Sequence, residues 1–419
     1  MTASLPERIA YIELGDDAEA VTVFPGFDNT LVVSPPNHLI EVIEAEDTLF
    51  RTNSAVFLPD RIPSDEIAEE TGESTETIDD QTHVNGLAVF KGVLRFNHIR
   101  ALRGESKKLL ITGHTDTAGS NDYNEVLSQK RARSVVCMMM GGNYPAEGAS
   151  PNESDDEDQK SLNSKDDKYA KTNPDEPDYR KEFVDIVSAS NTVKDQQQIL
   201  KWISEKLSAY MTEAEKAEIS SLPKWTDVDP GAIDGKIGEN TKKAIWSFKV
   251  RFAKRFPPAG PYQDVRFSFD LDALKKSLNT VREFDKNTWA AVFEVMQAEL
   301  QLAMMKDGLN IHELRKELQW VDDKKKAVGC GETWPIDKRG KDNYRSQSNR
   351  RVEILLYDPD EIKGVLPCKD GVCAKSDCHI FKDMDRYAAE KKELEPTLHW
   401  AYLNLDEDGN VIPEFLFSI

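Results

Sequence analysis

Asp116 and Arg131 are the residues of this chain best placed to do chemistry. They stand in the stretch ITGHTDTAGSNDYNEVLSQKRARSVV, residues 111–136. A carboxylate and a guanidinium at the edge of a core form either a salt bridge or a receptor for a ligand that carries both charges. On a helical wheel of about 100° per residue, Asn124, Leu127, Val135 and Met139 share the mainly apolar side, and Arg131 falls inside that stripe. Glu125, Lys130 and Arg133 fall outside it. An inward arginine needs an acceptor of its charge, and Asp116 is the expected partner.

Particular elements must hold this pair. The run Leu109–Ile111 reads as a strand that ends at a Gly-His-Thr-Asp turn, and the helix bearing Arg131 follows. A preceding helix is expected over about 84–102, with Leu87, Phe90 and Leu94 on one face. LFRTNSAVFLP (49–59) reads as a strand entering a turn, and 61–82 as an acidic surface loop. Residues 1–48 alternate in short segments such as Ala20–Phe24 and Thr30–Val33, which predicts a small β unit. Residues 145–182, nearly devoid of apolar side chains, read as an acidic disordered linker. Helical patterns fill 183–326, for example Ile199–Leu207, Thr241–Lys254 and Trp289–Met304. Strand character returns over 327–358, in AVGCGETWP and RRVEILLYD. In the extension 359–419, Asp408-Gly409 makes a hairpin turn.

The chain has 419 residues, enough for more than one domain, and 39% hydrophobic residues, enough for a folded core. With 54 basic against 75 acidic residues the net charge is −21, so the basic footprint that phosphate neutralisation demands is missing, and nucleic acid is not an expected partner. An anionic membrane surface is disfavoured for the same reason. No run approaches the roughly 18 apolar residues that a membrane span needs, and the first residues lack the pattern of a secretory signal.

Four blocks together resemble the OmpA-like peptidoglycan-binding domain. Phe50, Ser54, Ala55, Leu58 and Pro59 look like its opening strand and turn. GHTDTAGSNDYNEVLSQKRARSVV (113–136) is similar to its signature, VGCGETWPI (328–336) to its Gly-rich strand, and NRRVEI (349–354) to its final strand. The resemblance covers about 45–145 and 327–358. It implies an α+β fold, a βαβαββ sandwich of sheet and helices split here by a mainly helical insertion. It also implies noncovalent binding of the peptidoglycan stem peptide. Asp116 would take the ammonium group of diaminopimelate and Arg131 its carboxylate. Thr115, Asn124 and Leu127 match positions that line or support the site. Arg350 and Arg351 match a terminal pair, of which one is structural. The chain departs from the family pattern at Arg51, Thr52 and Asn53, where acidic or amide residues are usual. A short connection is replaced by an insertion, and the usual export signal is missing.

Inside the insertion, IDGKIGENTKKAIWSFKVRF (233–252) resembles the core of a second, three-helix peptidoglycan-binding module. Asp234-Gly235 and Gly238 supply turns, Asn240 or Thr241 caps a helix, and Ala244, Ile245, Phe248 and Phe252 face inward. An ordinary turn and amphipathic helix would read the same way. Lys249 stands where that motif has glutamine. In the tail, Cys368, Cys373, Cys378 and His379 leave three readings open: zinc, one disulfide with a cysteine left over, or reduced thiols. No GxSxG, HExxH or P-loop pattern occurs, and no cofactor is implied.

The resemblance thus implies a noncatalytic binder of peptidoglycan. The whole arrangement looks like proteins found beside contractile injection or type VI secretion spikes, which would make spike or effector proteins partners. Such a machine would carry a protein made in the cytoplasm without a signal to the periplasm or cell envelope. Two alternatives remain: an effector enzyme acting on the cell wall with catalytic residues in the insertion, and a structural accessory with a degenerate pocket.

Overall fold

In the computed structural model the described residues are 7–13, 21–23, 31–33, 40–45, 49–60, 62, 66, 86–102, 107–142, 144, 178–211, 222–258, 260, 262, 264–268, 270–335, 340–346, 349–357, 397–405, 411–412 and 416–418. They divide into two compact units. Unit 1 comprises 1–136 and 309–419, and unit 2 comprises 137–308, so unit 2 lies in the chain between the two parts of unit 1. The fold is mixed helix and sheet, of the α+β class.

Unit 1 is built on one sheet. Its strands are β1 (Glu7–Glu13), β2 (Val21–Val23), β3 (Leu31–Val33), β4 (Ile40–Ala45), β5 (Lys108–Gly113), β6 (Gln319–Trp320), β7 (Ala327–Gly329), β8 (Val352–Tyr357), β9 (Thr397–Leu405), β10 (Val411–Ile412) and β11 (Leu416–Ser418). The order across the sheet is β10-β9-β1-β2-β3-β4-β8-β5-β6, with β11 beside β9 and β7 beside β5. Strand β8 runs antiparallel to both β4 and β5, and β7 runs parallel to β5. The N-terminal strands are therefore not a separate unit. They continue the sheet through β4 and β8, and β1 pairs along its whole length with β9 of the C-terminal extension. Alternating patterns show that strands exist but not which edges they join.

Helices α1 (Gly86–Leu102) and α2 (Asn121–Met140) flank β5 in sequence, and α8 (Ile311–Glu317) precedes β6. Leu87, Phe90 and Leu94 are buried, as the spacing predicts. Helix α2 begins where the Ser120 hydroxyl accepts from the Tyr123 amide at 3.4 Å. It ends at Gly141, whose φ of 77° makes a left-handed cap. Two glycines let α2 lie directly on the sheet. A Cβ on Gly113 would come within 2.1 Å of the Ser128 carbonyl oxygen, and one on Gly329 within 2.6 Å of the Gln129 nitrogen.

Residues 49–59 differ from the expected opening strand. They form a buried loop in which Ser54 N donates to Arg51 O at 3.0 Å and Leu58 N to Leu49 O at 2.9 Å. Asn53 takes a left-handed φ of 61° at the tip. The strand beside β8 is instead β4, earlier in the chain. Aromatic and β-branched residues at 49–59 mark burial in both cases, which is why the pattern misleads.

Unit 2 is helical among its described residues: α3 (Tyr179–Ala189), α4 (Val193–Ser208), a 3₁₀ turn (Trp225–Val228), α5 (Glu239–Arg255), α6 (Leu271–Ser277) and α7 (Lys286–Met305). Helix α3 starts inside the stretch expected to be linker, because Asp178 caps it by accepting from Lys181 N at 3.0 Å. Thr192 and Asp195 form a capping box on α4. The core joins Phe183 to Phe293, with ring centroids 5.1 Å apart, and stacks Phe252 on Phe256 at 4.4 Å. No described helix is long and apolar enough to cross a membrane.

Candidate functional site

Strand β5 delivers His114, Thr115 and Asp116 to its C-terminal end. The backbone there is fixed on both sides: His114 N donates to Arg351 O at 2.8 Å, and Thr115 N to Gly331 O at 2.9 Å. Asp116 is 6% exposed. Its Oδ2 accepts from Arg350 Nη1 at 3.0 Å and from Ser346 N at 3.4 Å, and its Oδ1 accepts from Ala118 N at 3.3 Å. Asn124, on the first turn of α2, donates to the carbonyls of Asp116 and Ala118 at 3.2 and 3.3 Å and to Glu332 at 2.5 Å. Thr117 ties the same turn to the 341–344 segment, donating to Lys341 O at 2.9 Å and accepting from Tyr344 N at 2.8 Å. The Thr115 hydroxyl is buried and has no hydrogen-bond partner among the described residues.

Arg131 faces inward and is fully buried, as its place on α2 predicts. The expected partner is wrong. Arg131 Nε donates to Ser54 O and Nη2 to Arg51 O, both at 2.9 Å, with the Phe50 ring centroid 5.4 Å from the guanidinium carbon. Asp116 is paired with Arg350 instead. The physical reason lies in the 49–59 loop. A strand would spend these carbonyls on a ladder, whereas a turn leaves them pointing at α2, and a guanidinium fork suits two oxygens side by side.

The structure therefore brings together Asp116, Thr115, Asn124 and Arg350, and places Leu127 and Arg131 on the buried face of α2. Of the terminal arginines, Arg351 is in a buried network: it donates to Glu353 at 2.7 Å and to Trp334 O at 3.1 Å, and Glu353 lies 3.3 Å from His114. Sequence reasoning missed Ser346, Glu332 and Glu66. Ser346 falls in a segment that reads only as a polar turn, and Glu66, which forms an ion pair with Arg51, falls in one that reads as an exposed loop. No pattern in the chain marks either as a contact.

With this geometry in place, the family comparison falls on the same elements. Residues 91–172 match the model of the OmpA family. The OmpA-family match takes in most of α1, the turn bearing Asp116 and all of α2. It supports an OmpA-like peptidoglycan-binding domain here, a class of noncatalytic binding domain. It does not reach the 49–59 loop or β7 and β8. No curated protein and no solved structure matches the chain.

In unit 2 the 233–252 segment forms a closed turn and a helix. Asp234 Oδ1 accepts from Gln197 Nε2 at 2.8 Å and from Lys236 N at 2.9 Å, and these bonds hold its carboxylate below the ordinary range. Gly235, at φ 72°, donates to Gln197 Oε1 at 2.8 Å. Ala244, Ile245, Phe248 and Phe252 are buried as expected. The cap is Gly238 rather than Asn240 or Thr241. The Thr241 hydroxyl turns back to Lys236 O at 3.2 Å, because it already lies within the first helical turn. Lys249, where the motif has glutamine, is buried and donates to Asp285 at 2.9 Å, Val281 O at 3.0 Å and Asn279 at 3.2 Å. Burial would push the Asp285 carboxyl up, but Lys249 together with the Thr288 hydroxyl and amide holds it below its ordinary value.

Among the described residues no His, Cys, Asp and Glu cluster could hold a metal ion. Cys137 and Cys330 are buried thiols. Cys368, Cys373, Cys378, His379 and the Asp408-Gly409 turn lie outside the described residues.

Proposed function

We propose that unit 1 binds the peptidoglycan stem peptide without catalysing a reaction, with a diaminopimelate-type zwitterion as the recognised group. Asp116 takes the ligand's ammonium, Arg131 supplies the cationic side for its carboxylate, and Thr115, Asn124, Leu127 and Arg350 shape or support the site. The observation that carries this reading is the coordination of Asp116. A carboxylate offers about four acceptor directions, and Asp116 uses three, with Oδ1 taking only the Ala118 amide. The remaining direction suits an ammonium, and a charge-assisted bond there adds orientation as well as attraction. The buried Thr115 hydroxyl beside it offers a further donor.

Retention on insoluble peptidoglycan tests the reading, with Asp116→Asn as the variant because it keeps the shape and removes the charge. Retention of wild type with loss in the variant is expected; equal retention would sink the site.

A second reading has its own support. Arg350 already faces Asp116, and backbone carbonyls already face Arg131, as in a degenerate pocket kept for structure. Equal retention of wild type and variant, or retention of neither, would favour it.

The broader role we propose is a cell-wall-targeting or anchoring component of a contractile, type VI-like secretion apparatus, acting in the cell envelope. Release that continues from a strain lacking the sheath would contradict it. Release of muropeptides from purified sacculi would instead favour an effector enzyme acting on the cell wall.

A further inference from the structure

We propose that Arg51 and Glu66 are positioning residues: their buried ion pair sets the 51–54 turn against Arg131 and so sets the affinity of the site. This rests on the stem-peptide reading above. Both side chains are buried and paired with each other. A charge removed from water is costly unless matched, so each of the two holds the other in place.

The turn that carries Arg51 is the one Arg131 grips. The Arg51 carbonyl accepts from Arg131 Nη2, and the Ser54 carbonyl from Arg131 Nε. The turn is closed by Ser54 N on Arg51 O, and Val56 N donates to the Ser54 hydroxyl at 3.0 Å. At its tip Asn53 accepts from the hydroxyl of Tyr123, a residue next to Asn124 and 44% exposed.

These contacts make one mechanical chain. The Arg51 side chain is anchored on Glu66, its carbonyl on Arg131, and the tip of its turn on α2 beside the residue that braces Asp116. Moving Arg51 shifts both carbonyls that orient the guanidinium. Neither Arg51 nor Glu66 needs to touch the ligand for this. Binding sites lose affinity steeply when the groups that hold them are loosened.

Two readouts on the full chain test the proposal: retention on diaminopimelate-type sacculi, and amide hydrogen exchange at Ser54, Val56 and Leu58. The variants are Glu66→Gln, Arg51→Glu and the charge swap Arg51→Glu/Glu66→Arg. Glu66→Gln keeps the shape, so it remains informative if Arg51→Glu alone does not fold. We expect Glu66→Gln to weaken retention and speed exchange at the three amides, each about tenfold, while the β5 amides stay protected. The swap restores both to within about threefold. Unchanged exchange at 54–58 in Glu66→Gln, or faster exchange with unchanged retention, overturns the positioning role. Failure of the stem-peptide reading looks different: wild type itself is not retained, or Asp116→Asn is retained equally, and the positioning role then falls with it.

Discussion

Arg131 spends its guanidinium fork on two backbone carbonyls, those of Ser54 and Arg51. Lysine cannot reproduce the fork to two oxygens, so Arg131→Lys should destabilise unit 1 by about 1–3 kcal/mol, read as a fall in denaturation midpoint. The inward place of Arg131 on α2 was legible, because helical spacing alone turns it inward. Its partners were not, because they are backbone carbonyls of a distant loop. Lys249 gives a second case, with the opposite lesson: a departure from a motif became intelligible through Asp285. The folded Asp285 carboxyl lies below its unfolded value of 3.8. Its contribution to stability is therefore present above that value and lost as pH falls through the folded one. Lys249→Met should flatten the acid limb of the unfolding curve; an unaltered limb would contradict the pairing. Glu299 has the reverse sign. Burial pushes its carboxyl up, partly offset by the Tyr262 and Tyr210 hydroxyls and by nearby lysines. Ionised Glu299 costs stability near neutrality, and that cost shrinks as pH falls from the folded value toward the unfolded 4.5. Glu299→Gln should raise the melting temperature at pH 7 and lose that advantage in acid.

Elements were the most legible scale where periodicity was long. Helices α1, α5 and α7 fall where their apolar spacing places them, to within a few residues, and α2 follows the Asp116 turn, whereas α4 starts at Val193, well ahead of the Ile199 its pattern marks. The 49–59 loop was the exception, since burial alone does not separate a strand from a compact turn. Strand pairing was hidden too: nothing in β1 announces that it joins β9. The close approach of α2 to the sheet could be read only after the structure placed Gly113 and Gly329 under the helix. Gly113→Ala puts a methyl against backbone that cannot yield, and should cost about 1–3 kcal/mol. Chemical denaturation would show it as a lower midpoint, and an unchanged midpoint would mean that α2 can lift from β5.

For the whole molecule, charge frames how the chain meets its surroundings. A protein of net charge −21 approaching an anionic polymer is repelled at long range, with a screening length of about 8–10 Å at physiological salt. Retention on sacculi should therefore hold or rise modestly with added salt until the local ion pairs at Asp116 are themselves weakened. A steep fall from low salt would point to nonspecific basic contacts instead. The two compact units divide the chain at 136/137 and 308/309, edges that differ from the 183–326 read from pattern as the helical insertion, and the Asp178 cap starts a helix inside the stretch read as linker. The most direct measurement is co-sedimentation of the full chain with diaminopimelate-type sacculi, comparing wild type with Asp116→Asn at matched stability. Wild type in the pellet and the variant in the supernatant is the predicted result; the two proteins sedimenting alike would contradict the account.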